Sequence, residues 1–428
     1  MSYCRTNIAS TVTFVAAGLM ACLLPVHSGA EEVTLEQVLE EVPQQHETHQ
    51  ITQMEVRQSR ALRRQALGAL FPQLSATGEL TRQGGEEVEI GDQAIRRRYD
   101  WGITGIASLT IFDGPAYYDY WQSDAMVDVA EASAEWERHF LELDAEVAFF
   151  TLASAQREVE IAEAAIEWRR EYLEEAEELR DAGFAVEVDV SRARAEVLEA
   201  EQALLEADAA RGNAADGLAT LLGRDPDGQL RAEFDPEDIE TDPPPQRASV
   251  TEERTDFTGR RAGVEATELG RRGVWWGFAP RVGLSLNARW GEPTAFDPDY
   301  FNWSLTLSAT WDLYQGGARF ARADEAQAEV RQAELELERD LRDANVEMAQ
   351  AYRDWESAAA RIEVARQRLE AVEQTYDQVL AQYEQGLVTG LEVSDASQEL
   401  LDAEMTLNQV RFQARVAEVQ YRYLEQQE

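Results

Sequence analysis

Between Leu341 and Tyr383 the apolar residues fall at Leu341, Ala344, Met348, Ala351, Trp355, Ala358, Ile362, Ala365, Leu369, Val372, Tyr376, Val379 and Tyr383. The steps alternate three and four without a miss. That is a heptad seam, and a helix carrying it must pack lengthwise against other helices. The helical pattern starts after Gly316-Gly317 and stops at Gly386. At about 1.5 Å of rise per residue the rod is roughly 100 Å long. A globular domain has no use for such a rod, so it must span something.

The rest of the chain supplies the other parts. Thr34-Leu35-Glu36-Gln37 reads as a capping box before a short amphipathic helix. A second helical stretch runs from about His46 to Leu70 and ends at Phe71-Pro72. From Gln73 the period changes to two. Leu74, Ala76, Gly78 and Leu80 alternate with polar residues, and after a Gly-rich loop Tyr99, Trp101, Ile103, Gly105, Ala107, Leu109 and Ile111 do the same. This is a β-hairpin with one apolar face. A long helix follows, carrying the seam Trp136, Phe140, Leu143, Val147 and Phe150 and then, after a register shift, Val159, Ala162, Ile166, Leu173 and Ala176. Gly183 breaks it, and a further helix runs to Leu222.

After a Pro- and Asp-rich linker the programme starts again. Pro72 matches Pro280, Asp113-Gly114-Pro115 matches Gln315-Gly316-Gly317, and Gly183 matches Gly386. The segment from Gly183 to Ser191 aligns with that from Gly386 to Ser394 without a gap. Duplication therefore divides the chain. Residues 1–30 form a signal peptide, 31–223 a first repeat, 224–249 a periplasmic linker and 250–428 a second repeat. The first repeat holds a hairpin over 72–113, a long helix over 116–182 and a helix over 186–222. The second holds a hairpin over 280–315, a long helix over 318–385 and a helix over 391–425.

Composition removes several function classes. The net charge is −43, and all 39 basic residues are Arg. Without Lys there is neither a P-loop lysine nor a Schiff-base lysine. The acidity argues against nucleic-acid binding. It suits solubility in a salty medium or a lumen that favours cations. The leader carries Arg5, an apolar core from Ile8 to Leu24 and small residues before Glu31, which reads as a secretory signal rather than an anchor. Leu19-Met20-Ala21-Cys22 also resembles a lipoprotein box, though Met20 fits it poorly. Both cysteines, Cys4 and Cys22, lie in the leader, so the cleaved chain is expected to have no thiol chemistry. No later apolar run approaches the length of a transmembrane helix, so membrane insertion must use strands.

Each hairpin offers about ten alternating residues per strand, the length that crosses a bilayer core when tilted. Seven of the ten Trp lie in or beside the hairpins, including Trp101, Trp275, Trp290 and Trp311. Aromatics at strand ends suit the membrane interface. Four strands cannot close, and an open edge in lipid leaves backbone groups unpaired. The chain must therefore oligomerise. Two copies give an eight-stranded barrel filled by its own side chains, and three give twelve strands and a passage.

Three junctions carry a family likeness: Leu70-Phe71-Pro72-Gln73-Leu74, Tyr314-Gln315-Gly316-Gly317, and Tyr383-Glu384-Gln385-Gly386-Leu387-Val388-Thr389-Gly390-Leu391-Glu392-Val393. With these the chain resembles the TolC-type outer membrane efflux proteins over nearly all of its length from Thr34 to Leu424. The resemblance implies a mainly α fold with transmembrane β: a homotrimer whose duplicated units build a twelve-stranded β-barrel and a long α-helical periplasmic barrel. It implies an exit duct of a tripartite efflux or type I secretion system, set in the outer membrane of a Gram-negative bacterium. The implied partners are a periplasmic adaptor protein, an inner-membrane pump and outer membrane lipid. Two features depart from the family pattern. The second copy ends soon after its last helix, so no C-terminal extension is expected to complete an equatorial belt, and the acidity is higher.

Such a conduit needs no catalytic site or cofactor, and no enzyme signature is expected. After the leader the histidines are His46, His49 and His139, and His46 and His49, three apart, read as solvated helix residues rather than metal ligands. The turns at Gly183, Phe184, Ala185 and at Gly386, Leu387, Val388 are the expected adaptor-docking tip. By resemblance Glu392 and Asp395, with Asp189 from the first copy, line the periplasmic constriction. Rings of carboxylates favour cations and obstruct anions. A periplasmic coiled-coil scaffold without a pore is the competing reading. It accounts for the seams and not for Trp-flanked strands.

Overall fold

The structure is a computed structural model that describes residues 31–425 apart from 83, 85–87, 91, 92, 97, 98, 184, 185, 235–242, 244, 245 and 292–299. The expected leader lies outside the described residues.

Strand β1 (Glu32–Val33) leads into α1 (Leu35–Gln45) and α2 (Glu47–Ala69). Thr34 caps α1 as its sequence pattern predicts. Its Oγ1 accepts from Gln37 N at 3.3 Å, and Gln37 Oε1 accepts from Thr34 N at 3.1 Å. His46 caps α2 in turn, its Nδ1 accepting from Thr48 N at 3.3 Å. The first hairpin is β2 (Gln73–Arg82) and β5 (Tyr99–Phe112), with a short ribbon of β3 (Val88–Ile90) and β4 (Gln93–Arg96) between them. Helix α3 (Gly114–Asp181) is 68 residues long and α4 (Glu187–Leu221) runs back beside it. Strand β6 (Arg231–Ala232) then pairs in parallel with β1. The second repeat comprises α5 (Thr255–Trp276), β7 (Arg281–Gly291), β8 (Phe301–Thr310), α6 (Ala318–Glu384) and α7 (Gly390–Glu425).

The two hairpins form one antiparallel sheet in the order β2-β5-β7-β8. Its outer strands, β2 and β8, come from different repeats and, among the described residues, each has a free edge. The apolar face is bare: Leu74 is 84% exposed and Leu307 67%. A soluble sheet would hide such a face. The helices continue the strands in the same order, α2 on α3, α3 on α5 and α5 on α6. Farther from the sheet the order becomes α4, α3, α7, α6.

Burial follows the seams. All the α6 seam residues from Leu341 to Tyr383 are buried or half-buried. In the middle of the seam, Ala358, Ile362 and Ala365 pack on Leu407, Val410 and Ala414 of α7. Helix α5 uses a different device. Gly259, Gly263, Ala266, Gly270, Gly273 and Gly277 recur in steps of four and three, and they bring its backbone onto α3. A Cβ at Gly259 would lie 2.9 Å from Ala132 Cβ, and one at Gly273 3.0 Å from Tyr118 Cβ. Within the segment between repeats, Leu230 and Ala232 are buried with Phe149 and Phe150. Gln156 holds Ala232 in both directions, accepting from its N at 2.7 Å and donating to its O at 3.1 Å. Arg254, 4% exposed, donates to Asp256 and to Leu424 O and lies over the Trp136 ring, so it pins the end of α7 to α5 and α3.

Candidate functional site

The two helix turns farthest from the sheet lie together. Gly386 adopts φ of 69°, a left-handed conformation that favours glycine. Its N donates to Tyr383 O at 2.8 Å and Leu387 N donates to Gln382 O at 2.9 Å, so the last carbonyls of α6 are satisfied. Gly183 turns the same way, with φ of 85°, between α3 and α4. Leu387 is exposed and Val388 half-buried. Phe184 and Ala185 lie outside the described residues.

The three acids proposed for the constriction have different surroundings. Glu392 sits in the first turn of α7, where its Oε2 accepts from Thr389 N at 2.7 Å and from Thr389 Oγ1 at 3.2 Å. Its charge therefore sits at the positive end of its own helix. Asp395, one turn on, is exposed and has no ion pair among the described residues. Asp189 is half-buried on α4 beside Gly390. Thus Glu392 and Asp395 share one face, and Asp189 approaches from the other repeat. At the first turn Arg180 pairs with Asp181 at 2.7 Å and Glu187 at 3.6 Å.

Above the turns the four helices meet in an apolar cluster of Tyr172, Ala176, Val190, Ala193, Tyr383 and Val393. Polar links between the repeats surround it. Tyr172 Oη donates to Gly390 O at 3.0 Å. Burial first, and then neighbouring Tyr383, pushes the Tyr172 hydroxyl well above the ordinary phenol range, so it remains a donor. Arg169, 6% exposed, donates to Glu196 O at 3.1 Å and to Gln398 Oε1 at 2.9 Å. Ser394 Oγ donates to Glu196 Oε1 at 2.5 Å, while Glu196 Oε2 is buried without a partner.

None of these linking residues stood out in the sequence. One of them left a trace. The α3 seam jumps seven residues from Ile166 to Leu173, and Arg169 fills the missing position. A charge at a seam position marks a place where helices are joined by polar contacts. Among the described residues no group of His, Cys, Asp and Glu could hold a metal ion, and no helix is long and apolar enough to cross a membrane.

A comparison with curated proteins finds no match. Among solved structures, the outer-membrane channel OprN superposes with a TM-score of 0.76 at 22% identity, covering 91% of this chain and 89% of OprN. CusC, whose structures concern folding and transmembrane channel formation, gives 0.80 at 18% identity, covering 91% of each chain. The outer membrane protein VceC of Vibrio cholerae gives 0.76 at 21% identity, covering 91% of this chain and 96% of VceC. At these identities the likeness carries the fold alone. The sequence profile described as outer membrane efflux protein matches residues 38–224 and 250–424, which takes in both repeats and leaves out the segment between them. The chain belongs to the outer membrane efflux protein family.

Proposed function

We propose that the protein is the outer membrane duct of a tripartite efflux or type I secretion system, a passive channel opened at its periplasmic tip. The observation that carries this reading is the four-stranded sheet with two free edges and a bare apolar face. Lipid satisfies the face, and only sister copies satisfy the edges. Three copies supply twelve strands, enough to enclose a passage. The sheet then lies in the outer membrane and the long helices extend into the periplasm. A coiled-coil scaffold has no use for exposed Leu74, Leu307 and Trp303 on one sheet face.

The tip is the gate in this reading. At rest the inner hairpin, α6–α7, is tied to the outer hairpin, α3–α4, by the Tyr172, Arg169 and Ser394 links. Glu392, Asp395 and Asp189 line the constriction. A periplasmic adaptor docks at the turns around Gly183 and Gly386 and favours a splayed arrangement, which shifts the population of open tips. Energy comes from an inner-membrane pump, since this chain has no nucleotide motif.

Single-channel recording of the reconstituted oligomer tests the reading. Conductance is expected to be small, with block by divalent cations from the periplasmic side. Glu392→Ala with Asp395→Ala should weaken that block. Unchanged block removes the two acids from the constriction, and absence of any conductance counts against the channel.

A further inference from the structure

A hollow of about 500 Å3 lies where the second hairpin meets the helices. Its walls come from α3, α5, α6 and the sheet, with Gly270, Gly273 and Gly277 making room on the α5 side. Arg281, Thr310 and Asp312 place it on one side of the sheet. Arg281 shares a strand face with Gly283, Ser285 and Asn287, while Val282, Leu284 and Leu286 point the other way. In a barrel whose apolar face meets lipid, the Arg281 face meets the lumen. The hollow therefore opens into the passage, at the neck between strands and helices.

Its chemistry is unlike the rest of the chain. Acidic residues outnumber Arg by 82 to 39, yet three arginines, Arg281, Arg319 and Arg322, line this one cavity. Arg281 and Arg319 both aim Nη2 at the same oxygen, Asp312 Oδ2, from 3.5 Å and 3.6 Å. A committed guanidinium–carboxylate contact is about 2.7–2.9 Å. One carboxylate is thus shared loosely between two cations, and most of their donors stay unspent. Arg319 is held in place without them: its guanidinium lies 5.2 Å from the centre of the Phe278 ring. Arg322, a turn along α6, is exposed and has no ion pair among the described residues. The first turn of α6 itself has no capping side chain. The positive end of its helix dipole faces the same corner. Asp119 and Glu329 also line the hollow, so its sum of charge is balanced. Its distinguishing feature is placement, with Arg281 of β7 and Arg319 of α6 meeting at one loosely held acid and Arg322 a turn farther along α6.

We propose that this hollow is a binding site for a solute carrying a phosphate or carboxylate group, held by Arg281, Arg319 and Arg322 at the neck of the lumen. The proposal rests on the channel reading for its access to cargo. Guanidinium forks match both anions in two-point contacts, and an incoming anion takes over the position that Asp312 now fills at long range.

Equilibrium dialysis of the detergent-solubilised oligomer against radiolabelled inorganic phosphate tests it. Saturable binding is expected. Arg322→Gln, at an exposed residue with no ion pair among the described residues, should weaken it about tenfold, the effect of one charge-assisted contact. Arg281→Gln, Arg319→Gln and Arg322→Gln together should abolish it, and Arg331→Gln, farther along α6, should leave it unchanged. No saturable binding, or equal binding by the wild type and the triple variant, overturns the site. Adding phosphatidylglycerol to the detergent checks the other source of this chemistry. Displacement of phosphate by the lipid would move the site to the membrane face and overturn the luminal assignment. Conductance is read separately. Binding without current sinks the channel and spares the hollow, and current without binding does the reverse.

Discussion

Gly390 shows how little room the tip allows a single side chain. It is buried at the start of α7, and a Cβ there would run into Tyr172 Oη, the atom that donates to Gly390 O at 3.0 Å. Its glycine is therefore set by a close approach, since its backbone is ordinary helix. Gly390→Ala forces the Tyr172 ring away from a well-packed cluster and should destabilise by about 1–3 kcal/mol. Tyr172→Phe removes only the hydroxyl, and Gly390 O keeps its place in the α7 ladder, so the loss should be about 1 kcal/mol. The two changes are in contact and will not add. The double variant should recover most of what Gly390→Ala alone loses, because the ring without its oxygen leaves space for the methyl. Thermal unfolding of the four proteins measures this cycle. A strictly additive double variant would show that the clash is not what makes Gly390 necessary.

At the scale of elements, two rows of residues stay exposed along the helices. On α4, Val188, Ser191, Ala195, Leu198, Gln202, Leu205 and Ala209 recur in steps of three and four, and all are exposed. On α6, Val346, Gln350, Arg353, Ser357, Ala360, Val364 and Gln367 do the same on the side away from the buried seam. Helices α4 and α6 lie at opposite ends of the order α4, α3, α7, α6, as β2 and β8 do in the sheet. A ring of copies joins each pair of ends at once. Since Cys4 and Cys22 are the only cysteines, introduced thiols report cleanly. Leu205→Cys, combined in turn with Val364→Cys, Gln367→Cys or Ala371→Cys, should give oxidised ladders up to a covalent trimer, strongest for one register. Monomers alone in all three pairs would rule out this joint. Legibility in the sequence followed the same logic. The α6 seam was plain because that helix packs along one face. The α3 seam was not: Phe140 is 42% exposed, while Leu141, Ala145, Phe149 and Leu152 are buried. Helix α3 is gripped by α1, α2, α4, α5 and α7, so its periodicity is smeared. The glycine stripe of α5 was invisible to a hydropathy reading because small residues carry almost no apolar signal. At the tip the turns could be read from Gly183 and Gly386. The ties between repeats depend on which helix lands beside which, and no local pattern records that.

Over the whole molecule the excess of carboxylates leaves a mark on stability. Asp128, Asp144, Glu146, Glu158, Glu175 and Glu404 all hold their protons more tightly than ordinary carboxylates, in each case chiefly through burial. An acid whose folded pKa is raised is penalised when ionised in the native state. That penalty is present at neutral pH and disappears as pH falls through the folded pKa toward the unfolded value near 4. Stability should therefore rise, not fall, as pH is lowered from neutral toward the ordinary carboxylate range. The net charge of −43 acts in the same direction, because protonation relieves repulsion. Glu268 opposes the trend. Its carboxyl is held below the usual range, first by the hydrogen bond from Arg271, so its contribution is kept at these pH values and lost only at more acid pH. The gain should thus peak in mild acid and reverse below it. Salt offers a second check: screening relieves the repulsion without protonation, so at about 1 M salt, where the screening length is about 3 Å, the rise with acid should shrink. The measurement is the unfolding midpoint of the detergent-solubilised protein across that pH range at low and high salt. A midpoint that falls steadily from neutral pH downward would mean that native ion pairs such as Arg254 with Asp256, rather than buried and mutually repelling acids, govern the balance.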